Sequence, residues 1–98
     1  MRRLVNFEMP VRAATLPRGF EPAFLDTGTL AIYRSRHADG RPAATHLLEG
    51  LPDEAVWSRG ADGRVIVAKP SLVAGYVRRG FFYTPSAARR ASEEWGTL

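Results

Sequence analysis

Two stretches of this chain are near copies. Ser35-Arg36-His37-Ala38-Asp39-Gly40-Arg41 and Ser58-Arg59-Gly60-Ala61-Asp62-Gly63-Arg64 share six of seven positions at a spacing of 23 residues. Each carries an Asp-Gly pair, a strong reversal signal, because Gly takes a positive φ without steric cost and Asp tolerates one. The runs flanking the two turns do not match, so shared turn chemistry explains the likeness better than duplication of a whole hairpin. Two reversals require four strands. Residues 29–36 alternate well enough for a strand with one wet face, and 43–48 is the return strand. Leu51-Pro52-Asp53 turns the chain, 55–59 forms a third strand, and the β-branched run 65–68 a fourth. The pattern predicts an antiparallel meander, with Arg3–Phe7 available as a fifth strand.

After Lys69 the period changes. Pro70 and Ser71 are helix openers, Leu72, Val73, Tyr76 and Val77 recur at three- and four-residue spacing, and Gly80 can cap the end. Phe81-Phe82-Tyr83 reads as extended, and Thr84-Pro85 starts a second helix that runs to about Trp95. Upstream, Pro17, Gly19 and Pro22 interrupt every period, so residues 1–27 are expected to be irregular and partly mobile, pinned by Phe20, Phe24 and Leu25. The expected fold is α+β: one domain over 1–98, an antiparallel meander of four to five strands packed on one face by two short C-terminal helices. Its expected core is Leu30, Ile32, Leu47, Val56, Val65, Val67, Leu72, Tyr76, Phe81 and Trp95, with Trp57 half exposed.

A chain of 98 residues can build one hydrophobic core and no more. The absence of Cys excludes disulfides, thiolate zinc sites and a cysteine nucleophile. Met1-Arg2-Arg3 resembles the start of an export signal, but Asn6, Glu8 and Pro10 break the apolar stretch that must follow. No apolar run approaches a membrane-spanning length, so a soluble cytoplasmic protein is expected. His37 and His46 have no carboxylate at ligand spacing, no glycine-rich phosphate loop is present, and no serine has a local histidine partner. Lys69, the single lysine, is expected to be exposed. Neither a metal, a cofactor nor a catalytic set is indicated.

Charge is more informative by segment than in total. The chain carries fourteen basic and ten acidic residues, a net +4. Residues 21–63 hold four arginines against seven acids, whereas 64–90 hold six cations and no acid. In that second segment Arg64, Lys69, Arg78, Arg79, Arg89 and Arg90 interleave with Tyr76, Phe81, Phe82 and Tyr83. Cations and aromatics together suit a protein interface, and they equally suit a single-stranded nucleic acid, whose phosphates need cations and whose bases need stacking faces. The expected function is a small non-enzymatic protein-interaction module, binding a protein or a second copy of itself. Its contact surface would use Arg64, Lys69, Arg78, Arg79, Phe82, Tyr83, Arg89 and Arg90. Nucleic acid is the alternative partner. Against both stands the reading in which the aromatics are core and the arginines pair with the acidic middle segment.

A second signal is Asp26-Thr27-Gly28, preceded by Phe24-Leu25. Over these five residues the chain resembles the dimeric retroviral-type aspartic proteases, and the resemblance implies an enzyme in which Asp26 and its counterpart in a second copy share one proton. That family also has a glycine-rich flap and a later apolar-apolar-Gly segment in a strand beside the catalytic turn. Val73-Ala74-Gly75 is the nearest match and falls in the stretch expected to be helical.

Overall fold

The computed structural model describes residues 19–95. The expected strand at Arg3–Phe7 and the side chain of Trp95 fall outside what is described. Among the described residues six strands run in chain order: β1 (Glu21–Asp26), β2 (Ile32–Arg34), β3 (Val56–Arg59), β4 (Val65–Ala68), β5 (Leu72–Arg78) and β6 (Phe81–Tyr83). One helix, α1 (Pro85–Trp95), closes the series, and a 3-10 turn spans Asp53–Ala55. The class is α+β, as an antiparallel sheet with a C-terminal helix, but the topology is not a meander. A four-stranded sheet has the order β2-β1-β5-β6, and β3 with β4 forms a separate hairpin.

The near-copied turns fold alike, through the same contacts of their Arg, Asp and Gly residues. Arg36 Nη1 donates to the Gly40 carbonyl and Arg59 Nη1 to that of Gly63, at 3.1 and 2.8 Å. The Arg41 and Arg64 amides donate to Oδ1 of Asp39 and Asp62 at 3.1 and 3.0 Å. Each glycine takes the left-handed conformation, φ 92 at Gly40 and 85 at Gly63. The strands around the turns differ. β3 and β4 pair with two irregularities of register, but beyond Asp39-Gly40 only an isolated bridge between Arg36 and Pro42 forms. The expected return strand at Ala43–Leu48 is irregular chain instead, held by Ser35, just past β2, whose buried Oγ accepts from Leu47 N–H at 2.8 Å and donates to the Thr45 carbonyl at 2.7 Å.

β1 occupies a segment expected to be irregular. Pro22 makes it look broken, because proline lacks the N–H that a residue of an inner strand donates to its neighbour. Here its carbonyl accepts from Ser35 N–H at 2.8 Å, and the Ser35 carbonyl, lacking a donor at Pro22, accepts from Ala43 N–H at 3.1 Å. β1 therefore stays an inner strand, paired with β2 on one side and along its whole length with β5 on the other.

The expected helix after Pro70 is also a strand. β5 is central and covered on both faces, with Leu72, Ala74, Gly75, Tyr76 and Val77 all buried. A strand buried on both sides loses the period-2 alternation that would mark it, and its run of apolar residues fits helical spacing by default. Gly80 is not a helix cap. With Arg79 it makes the two-residue loop between β5 and β6, both residues at positive φ (53 and 82), the turn whose twist matches that of the strands. The second expected helix is present as α1: Thr84 Oγ1 accepts from Ala87 N–H at 3.1 Å as its cap.

Residues paired across strands share a face, which places Phe24, Tyr33, Leu72, Ala74, Tyr76 and Tyr83 together. That face carries both core clusters. Phe24, Leu72 and Ala74 pack with Leu51, Ala55, Val65 and Ala68, while Tyr76 packs with Phe20, Ala88 and Ala91. The hairpin and the helix thus lie over one face of the sheet, where two helices were expected. Between the rows led by Phe24 and Tyr76, the Ala23–Gly75 pair points its substituents to the other side. His46 fills that gap, edge-on to both rings, with Nε2–H donating to the Gly75 carbonyl at 2.7 Å. Of the expected core, Val65, Leu72 and Tyr76 are buried and Leu47, Val56 and Val67 partly so. Leu30, Ile32 and Phe81 are instead exposed, at 72%, 37% and 70%, and so is Trp57. Leu30 sits in the β1–β2 loop, Phe81 at the start of β6 beside the turn and Trp57 on a solvent-facing position of β3, where apolar character does not mean burial.

Candidate functional site

The eight residues expected to form a contact surface do not converge. Lys69 precedes β5 and Arg78 ends it, six strand residues apart, or about 20 Å. Arg64 lies in the β3–β4 turn, and Arg89 and Arg90 are exposed on α1. Tyr83 is half-buried, edge-on to Phe20 at 5.1 Å between centroids. Phe82, on the opposite sheet face, lies against Gly75, so closely that a Cβ there would overlap its ring and the Tyr83 carbonyl.

Lys69 has a different role from the one expected. Its ammonium stands 2.7 Å from Oδ2 of Asp26, while Oδ1 accepts from Ser71 Oγ–H at 2.7 Å and from Gly28 N–H at 2.8 Å. Asp26 is 1% exposed, and the hydrogen bond from Lys69, with those from Ser71 and Gly28, holds its carboxyl well below the ordinary 3.8. This is the aspartate of Asp26-Thr27-Gly28. Val73-Ala74-Gly75 does lie in a strand, β5, paired with β1. Yet both carboxylate oxygens are engaged by donors of the same chain, an arrangement that stabilises the anion and opposes the shared proton an aspartic dyad needs. Thr27 adds to the joint: its N–H and Oγ1–H both donate to the Ser71 carbonyl at 2.9 Å. The cluster locks the end of β1 to the entry of β5.

At the other end of the sheet four arginines line two adjoining cavities, two of them from the acidic middle segment. A cavity of about 530 Å³ is lined by Gly19, Glu21, Arg34, Val77, Arg78 and Arg79. A neighbouring one of about 340 Å³ is lined by Glu21, Arg34, Ser35, Arg36, Pro42 and Ala43. Arg34, Arg36, Arg78 and Arg79 line the two cavities together with one acid among the described residues, Glu21. Each cation is placed by a specific element. Arg34 ends β2, with Nε 2.7 Å from Oε2 of Glu21, which begins β1. Arg36, two residues on, is strapped to its turn through Gly40. Arg78 lies over the Phe20 ring at 5.7 Å, and Arg79 is raised on the β5–β6 turn. Phe81, paired with Arg78 across that turn, presents an exposed ring.

Counting charge by segment missed half of this groove, because Arg34 and Arg36 belong to the stretch with a net negative charge. The available signal was their spacing of two on a strand, which puts both on one side. Among the described residues no group of three or more His, Cys, Asp or Glu could hold a metal ion, and no helix is long and apolar enough to cross a membrane. The chain matches no family model, no curated protein and no solved structure.

Proposed function

We propose that this chain is a small non-enzymatic binding module whose arginine groove seats an extended acidic segment of a partner protein. The observation that carries the reading is that Arg34, Arg36, Arg78 and Arg79 line two adjoining cavities which hold, among the described residues, a single carboxylate, Glu21. Guanidinium groups match carboxylates with two parallel donors, and arginine with exposed aromatics is the composition that dominates protein interfaces. The remaining titratable groups support binding rather than catalysis. Both oxygens of Asp26 accept hydrogen bonds, and burial lowers the proton affinity of His46, which donates to the Gly75 carbonyl.

Phe81 favours a second reading, a single-stranded nucleic acid, since its exposed ring beside Arg78 could stack a base while the arginines neutralise phosphates. Fluorescence anisotropy with a labelled hexaglutamate peptide and a labelled oligothymidylate separates the two. On the leading reading the peptide binds, and Arg78→Ala with Arg79→Ala weakens it about ten-fold or more. If the oligonucleotide binds tightly and the peptide does not, with a salt slope that falls by about two charges in that double variant, the second reading replaces the first. Failure of both ligands removes both.

A further inference from the structure

The Arg34–Glu21 ion pair belongs to the lining of both cavities, so it stands as the partition between them. Its two side chains are half exposed, 51% for Arg34 and 57% for Glu21, and they sit on the last residue of β2 and the first of β1. Either side chain can swing into water while its backbone stays in the sheet, and no buried charge is stranded by the move. Among the described residues Glu21 is also the one carboxylate lining the two cavities, against four arginines.

Resting on the groove reading above, we propose that Glu21 is a built-in competitor for Arg34, displaced by a carboxylate of the incoming acidic segment. Displacement joins the two cavities into one trough bordered by Arg36, Arg34, Arg78 and Arg79. Glu21 thereby sets the affinity of the groove: the ligand must supply a better partner for the Arg34 fork than the one already present. Short acidic stretches able to reach Arg34 and Arg79 at once do so, whereas a single carboxylate gains little by exchanging one exposed ion pair for another.

The test is the hexaglutamate anisotropy titration on the full chain, with thermal melts to show that each variant is folded. Glu21→Gln should tighten binding about two- to five-fold, the range spanned by exposed ion pairs. Glu21→Gln made in an Arg34→Gln background should give no gain, because nothing is left to compete for. Glu93→Gln, which removes the same charge from α1 outside both cavities, should change little. If the gain persists without Arg34, or if Glu93→Gln matches it, the effect is general repulsion and the competitor role falls while the groove stands. If neither wild type nor Glu21→Gln binds the peptide, the groove reading itself fails and the competitor role with it.

Discussion

Lys69 Nζ and Asp26 Oδ2 lie 2.7 Å apart although 43 positions separate them in the chain. The contact ties the last residue of β1 to the turn that enters β5, the pair of strands with the longest register in the sheet. Removing one partner is worse than removing both, because a buried carboxylate without its ammonium has lost its compensating charge. Lys69→Met should lower the melting temperature by several degrees or more, and Asp26→Asn with Lys69→Met should recover part of that loss. Thermal unfolding followed by circular dichroism measures both. A Lys69→Met variant as stable as the parent would show that Ser71 and Gly28 alone suffice.

Stability should fall on acidification in two stages, each with its own group. Burial lowers the affinity of folded His46 for a proton below its ordinary value of 6.5, so below that pH the unfolded chain binds more protons and folding weakens as pH drops. Asp26 has a folded value below its ordinary 3.8, so its contribution is intact above 3.8 and is lost as pH falls through the folded value. Urea midpoints measured from pH 7.5 to 3 should decline first below about 6.5 and again below about 3.8. In His46→Gln, which keeps a donor for the Gly75 carbonyl, the first decline should flatten and the second remain.

Local chemistry was legible in this chain, and long-range pairing was not. The two Asp-Gly turns, the β3–β4 hairpin and α1 are each specified within about ten consecutive residues, and they form where their patterns place them. The errors share one cause. β1 and β5 are inner strands whose character comes from each other, since Pro22 is tolerated only because Ser35 bonds Ala43 instead, and β5 hides its alternation because both of its faces are covered. The same loss reached the candidate site. Arg78 and Arg79 stand out as a basic pair beside aromatics, but Arg34 ends β2, two strands away in the sheet, and Arg36 lies just beyond it. Lys69 looks exposed in the sequence because the acid it meets ends β1, and the β1–β5 pairing that brings them together leaves no local mark.

Leu30 holds a left-handed backbone, φ 66, in the loop between β1 and β2, where its N–H donates to the Asp26 carbonyl at 2.7 Å. A residue with a Cβ is strained there by about 1–2 kcal/mol, and at 72% exposure its side chain gains little in return. Glycine removes the strain at an entropic cost of up to about 1 kcal/mol. Leu30→Gly should therefore stabilise the fold by about 0.5–1 kcal/mol, a rise of a few degrees in melting temperature. A fall instead would mean that the Leu30 side chain makes a contact whose loss outweighs the strain.

Gly75 should tolerate no side chain. It sits at the centre of β5, and a Cβ there would overlap both the Phe82 ring and the Tyr83 carbonyl. A ring can rotate aside, but the carbonyl belongs to β6, which pairs with β5 at Tyr76, Val77 and Arg78. Gly75→Ala should cost about 3 kcal/mol, the upper end of overpacking effects. Adding Phe82→Leu should return only the part owed to the ring, and denaturant titration of the single and double variants separates the two shares. The strain should also reach the groove, because Phe82 pairs with Val77, whose neighbours Arg78 and Arg79 line the same cavity. Gly75→Ala should therefore weaken hexaglutamate binding even at temperatures where the variant is fully folded, and unchanged affinity would show that β6 shifts without carrying the arginine turn with it.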